Sequence, residues 1–231
     1  MKFKAKFEKF EKLRECSCIA LTGDGSSEVG LIEVITQKFD GTLSLLCFPH
    51  YPSKLGISEE LQKKFEPRTT LAILKVIAHY VGVSLYGHFL VIIDLEHFKA
   101  DIAEDVKNQI EREKVSFNIK GIEKINYSED KAVLINCQNE RDFSIVMCVM
   151  GDETCPKTEF HIAKVIEHKY GVWIDPNQAK EEFRKKVKQT TGTKSYGKLV
   201  ENFEIEDLVK FFPQLMQALK TVEGIIESVC V

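Results

Sequence analysis

The run His88-Phe89-Leu90-Val91-Ile92-Ile93-Asp94-Leu95 restricts the fold more than any other stretch of the chain. A strand with one wet face alternates apolar and polar residues. This run does not, so it requires cover on both faces, the signature of an inner strand in an α/β sheet. Helical patterns flank it. Leu71, Leu74, Ile77 and Ala78 predict a helix over 67–81, with Pro67 suited to its first turn and Gly82 to its end. A short helix is expected over 96–113. The fold class that follows is a three-layer α/β/α domain with a mixed central β-sheet.

The chain has 231 residues, enough for one α/β domain over 1–231 with a sizeable core. Fifteen Phe and 6 Tyr exclude a disordered chain, and no short repeat marks a solenoid. A net charge of -3 disfavours a dedicated nucleic-acid binder. The most apolar later stretch, Val81–Leu95, is broken by Gly82, Ser84, Gly87 and His88, so no transmembrane segment is expected. Seven cysteines, an odd number partly within apolar runs, point to a reducing, cytoplasmic setting. An extracellular one would require a trimmed membrane anchor.

Phe3, Phe7, Phe10 and Leu13 form one stripe of an expected N-terminal amphipathic helix over 1–15. CSCIALTG then reads as a strand, GDGSSEVG as a glycine-rich loop, LIEVIT as a second strand, Asp40-Gly41 as a turn and TLSLLCF as a third strand. A helix is expected at 58–65 and three strands within 115–150. TEFHIAKVIEHKYG is expected as a helix with Phe160, Ala163, Val165 or Ile166, and Tyr170 inward. Residues 178–198 carry seven Lys/Arg against two Glu and are expected to be mobile, since TTGTKSYGK has the composition of a mobile loop. With the N-terminal helix, Lys180–Lys198 points to anionic partners, a lipid headgroup or a protein. The C-terminal stretch predicts two helices broken just before Pro213.

Chemistry is sparse. Cys16 and Cys18 lack zinc-knuckle spacing, and His161 and His168 lie two turns apart, too far to share one metal unaided. Cys155, beside Pro156, is the candidate exposed thiol. The Gly23-Asp24-Gly25-Ser26-Ser27 turn offers backbone amides to a phosphate but lacks the P-loop lysine. Asp94 closes the strongest strand, where α/β ligands bind, and also suits an N-cap before Glu96.

The order of these segments resembles the LytR–CpsA–Psr family. The resemblance rests on ALTGDGSS, LIEVITQKFDGTLSLLCFPHYP, the helix 67–81, VGVSLYGHFLVIIDLEHF and GDETCPKTEFHIAKVI, and covers roughly 17–220. It implies that family's fold and transfer of anionic glycopolymers from a polyprenyl-pyrophosphate carrier. Arginines and a carboxylate-held divalent cation grip the pyrophosphate there, neutralising the leaving group's charge.

This chain departs from the pattern at the chemistry. Pro49-His50-Tyr51 stands where the family has Pro-Arg-Asp, and Lys157-Thr158-Glu159-Phe160-His161 where it has Arg-x-x-Arg-Gln. Asp24, Asp94 and Asp152 match, and Glu28 is the one substitute for a further aspartate. The expectation is therefore a catalytically degenerate member, a binding or interaction module for a phosphorylated or apolar ligand. Asp24, Ser26, His50, Lys157 and His161 would contact that ligand. The rival expectation is a divergent phosphotransferase acting on a polyprenyl-pyrophosphate-linked substrate. Asp94 and Lys157 would be catalytic in it, and Asp24, Glu28 and Asp94 would hold Mg2+. No cofactor is required on the first reading. Phe48, Phe89, Phe98, Phe143 and Phe160 are expected to fill the space where a lipid tunnel would run.

Overall fold

The computed structural model describes residues 4–5, 17–22, 26–38, 46–50, 73–82, 87–99, 101–125 and 132–230. Among the described residues, seven strands form one mixed sheet. They are β1 (Lys4–Ala5), β2 (Ser17–Thr22), β3 (Leu46–His50), β4 (His88–Asp94), β5 (Asn118–Lys124), β6 (Ala132–Gln138) and β7 (Asp142–Met150), in the order β1-β3-β2-β4-β7-β6-β5. The first five in that order are parallel, and β6 and β5 complete the sheet as antiparallel strands.

Every residue of β4 is buried, as its unbroken apolar run predicts. Alternate residues face opposite layers. Leu90 and Ile92 pack with helices α1 (Ser26–Gln37), α4 (Thr158–Tyr170), α5 (Lys180–Thr191), α6 (Tyr196–Val200), α7 (Ile205–Phe211) and α8 (Pro213–Cys230). Phe89, Val91 and Ile93 pack with α2 (Ile73–Gly82) and α3 (Ile102–Glu113). This is the expected three-layer α/β/α arrangement. Phe89 and Phe143 fill the second layer, ring edge to ring face at 5.9 Å.

Several local expectations are corrected. Residues 26–37, expected as a loop and a strand, form helix α1. Because β2 and β3 are parallel, the chain needs a crossover between them rather than a hairpin. Leu31, Ile32, Ile35 and Thr36 have the spacing that buries one helical face. Lys4–Ala5 are not helical but pair with Leu46 and Cys47 of β3; the rest of the expected 1–15 helix lies outside the described residues. So do Asp40-Gly41 and the 58–65 helix.

The basic 178–198 stretch is largely helical: it contains α5 and the start of α6, anchored by buried Phe183, Val187 and Tyr196. On α4 the inward residues include Ile162, Ala163, Val165 and Ile166, whereas Phe160 is half-buried and Tyr170 is exposed. Cys155 is buried, not exposed. The break before Pro213 stands as expected, between α7 and α8.

The topology has a switch point at the carboxyl ends of β2 and β4. From β2 the chain passes through α1 to β3 on one side, then through α2 to β4 on the other. The crossover helices lie on opposite faces, and neighbouring connections diverge at the carboxyl ends of β2 and β4. In open α/β sheets ligands commonly bind at such a switch point.

Candidate functional site

The carboxyl edge of the parallel strands gathers Thr22, His50, Asp94 and Met150 at strand ends, with Asp94 beside Met150 in register. The segment Gly151–Lys157 then folds back over β4. Its first residue has φ +95, and a Cβ there would collide with the backbone of Pro156 and Lys157, so glycine alone fits without displacement. Asp152 Oδ1 accepts from Thr154 N at 2.8 Å, Thr154 Oγ1 at 2.6 Å and Cys155 N at 2.9 Å, which closes the turn.

The first turn of α4 is capped from another strand. Lys157 at the N-cap makes no side-chain cap hydrogen bond. Instead Thr158 donates its backbone N–H to Asp94 Oδ1 at 2.9 Å and its hydroxyl to the same oxygen at 2.6 Å. A carboxylate there satisfies an orphan amide and meets the positive end of the helix dipole. Beside it, Lys157 Nζ lies 3.3 Å from Glu96 Oε2, both side chains being 36% exposed. The Glu96 amide donates to the Pro156 carbonyl at 2.9 Å. Asp94 and Lys157 are thus brought onto adjoining segments, with the lysine open to solvent.

His161 is held on both ring nitrogens. Gly151 N–H donates to Nε2 at 3.1 Å, which leaves the proton on Nδ1 to donate to the Phe211 carbonyl at 2.8 Å. The ring is buried against Phe212. It ties the β7–α4 turn to the α7–α8 junction, a structural task that occupies both atoms a ligand would use.

Glu28 lies in the first turn of α1, buried. Glu159 occupies the corresponding turn of α4 and is also buried. Tyr196 donates its hydroxyl to Glu159 Oε1 at 3.0 Å, and Lys180 Nζ stands 4.0 Å from that oxygen. Burial, then the charge of Glu159 and its hydrogen bond, push the Tyr196 phenol well above its usual range. Glu28 adds to that effect and Arg184 opposes it. The hydroxyl therefore remains a donor. Close approach of α6 to α1 makes this possible, since a Cβ on Gly197 would run into the Gly30 carbonyl oxygen.

Thr158, Glu159 and Tyr196 were not singled out by sequence reasoning. The one local signal was a helix start, Lys157-Thr158-Glu159, without a capping residue of its own. Ser26 opens α1 and His50 closes β3, but their side chains, like all of Asp24 and Tyr51, lie outside the described residues. Among the described residues no group of three His, Cys, Asp or Glu is placed to hold a metal ion. No described helix is long and apolar enough to cross a membrane. Comparison with protein-family models, curated proteins and solved structures finds no match to this chain.

Proposed function

We propose that this chain is a binding module of LytR–CpsA–Psr-like organisation that takes a phosphorylated ligand at the carboxyl edge of β2 and β4 without turning it over. The observation that carries the reading is the switch point itself. There β2 ends at Thr22 and the chain enters the N-terminus of the 12-residue helix α1 four residues later. Amides at such a helix start attract anions, and Lys157 supplies a partly exposed positive charge on the neighbouring loop. Absence of turnover is supported by the use of Asp94, which is committed to Thr158, and by His50-Tyr51 in place of arginine and aspartate. Lysine and histidine do not reproduce a bidentate guanidinium grip.

Titration calorimetry with inorganic pyrophosphate and a soluble short-chain prenyl pyrophosphate tests this, alongside a phosphate-release assay. Binding without release, weakened several-fold by Lys157→Ala, is the expected result. Magnesium-dependent release abolished by Asp94→Asn would instead establish the rival reading, a phosphotransferase using Asp24, Glu28, Asp94 and Lys157.

A further inference from the structure

Trp173 is the chain's single tryptophan, and it stands 48% exposed. Tyr170 at 44% and Val172 at 43% flank it at the end of α4. Three large apolar side chains within four residues give up burial unless something covers them. The segment is not loosely held. Ile174 is buried in the core layer that also contains Phe183 and Val187 of α5. Trp173 therefore projects outward from a backbone anchored at the next residue.

The surroundings are basic. Residues 157–198 contain ten Lys/Arg against five Asp/Glu, although the whole chain has a net charge of -3. One of those five, Glu159, is buried and faces Lys180 at 4.0 Å. On α5, Phe183 and Val187 face inward, which turns Lys185, Lys186 and Lys188 to solvent. Lys186 Nζ reaches Gln178 Oε1 at 2.6 Å, placing this lysine against the connection that follows Trp173. Lys194 and Lys198 extend the exposed positive charge along the chain.

We infer that the outer surface of α4 and α5 docks on an anionic phospholipid bilayer. Tyr170, Val172 and Trp173 enter the interfacial region, and Lys185, Lys186 and Lys188 meet the headgroups. A bilayer interface accommodates side chains that are apolar at one end and polar at the other, as Trp and Tyr are. Its negative surface potential complements the lysines. The inference concerns a different surface from the carboxyl-edge site and stands independently of the ligand proposed there.

Trp173 provides the readout, because no other tryptophan contributes to the emission. The full chain is mixed with phosphatidylcholine vesicles and with vesicles containing phosphatidylglycerol, in low and high salt. Expected are co-sedimentation with the anionic vesicles alone, a blue shift of Trp173 emission and its quenching by brominated acyl chains. Neutralising all three lysines (Lys185→Gln, Lys186→Gln, Lys188→Gln) should weaken binding on the order of a hundredfold while leaving the melting temperature near that of the wild type. Tyr170→Ser with Val172→Ser should weaken it with the charge unchanged. No binding, equal binding to neutral vesicles, or binding without a change in Trp173 emission would overturn the inference. So would a blue shift in lipid-free buffer that grows with protein concentration, which would assign the surface to self-association.

Discussion

Asp94 Oδ1 accepts two hydrogen bonds from Thr158, one from the backbone amide at 2.9 Å and one from the hydroxyl at 2.6 Å, so the end of the central strand caps a helix that begins 64 residues later. Both bonds are buried and charge-assisted. Asp94→Ala is expected to cost about 3 kcal/mol of unfolding free energy, since it leaves the Thr158 donors without their acceptor. Thr158→Val removes only the hydroxyl and should cost less. Urea unfolding of the two variants checks the order.

His88 gives the protein an acid-sensitive element at the opposite edge of the sheet. Its Nδ1 accepts the Ser144 amide at 3.2 Å, and burial lowers its pKa below the usual 6.5. The unfolded chain therefore binds a proton at this site more readily than the folded one, and stability rises with pH. The contribution is fully present above about pH 6.5 and is lost as pH falls towards the lowered folded value. His88→Gln should reduce the stability difference between pH 7.5 and pH 5.5, measured by urea unfolding.

Among the described residues, the cysteines Cys18, Cys137, Cys148 and Cys155 are buried. Burial pushes the Cys155 thiol up to about 11 and the Cys137 thiol to about 12, and raises Cys148 further. At neutral pH these thiols are almost entirely protonated, and a protonated thiol is a poor nucleophile. Iodoacetamide at pH 7.5 is expected to leave all four unmodified in the native protein and to alkylate them in denaturant. Peptide mass mapping reads the difference.

Gly151 and Gly171 both have positive φ, at 95 and 66, but they differ in their surroundings. A Cβ at Gly171 meets nothing within 4 Å, whereas one at Gly151 collides with the Pro156–Lys157 backbone. Gly171→Ala should cost about 1 kcal/mol, the conformational penalty alone. Gly151→Ala should cost at least about 2–4 kcal/mol through strain and displacement of the turn that carries Lys157. Thermal unfolding of the two variants tests the gap, and Gly151→Ala should also weaken pyrophosphate binding.

The central strand and its two-sided burial were legible because Phe89 to Ile93 leave no polar face for water. The strands around AVLINC and DFSIVMCVM, and the break before Pro213, were legible for equally local reasons, whereas β5 begins only at Asn118, near the end of VSFNI. Residues 31–36 were not: β-branched Ile32, Val34, Ile35 and Thr36 suit a strand by propensity. Their 3.6-residue spacing prevails only because parallel β2 and β3 demand a crossover. The basic stretch misled for a similar reason. Phe183, Val187 and Tyr196 are too widely separated among lysines to look like a core face until α4 and α1 provide the surface they cover.

At the candidate site the division is sharper. Local sequence determined that Asp94 ends an inner strand, that Gly151 permits a tight turn and that a helix begins near Thr158, since each follows from the residues next to it. Tertiary structure alone decided that Asp94 caps that helix, that Gly151 and Phe211 occupy both nitrogens of His161, and that Tyr196 donates to Glu159. These pairings join residues 10 to 64 positions apart. A hydrogen bond between such distant residues forms where sheet order and helix packing place donor and acceptor within about 3 Å, a condition no local pattern encodes.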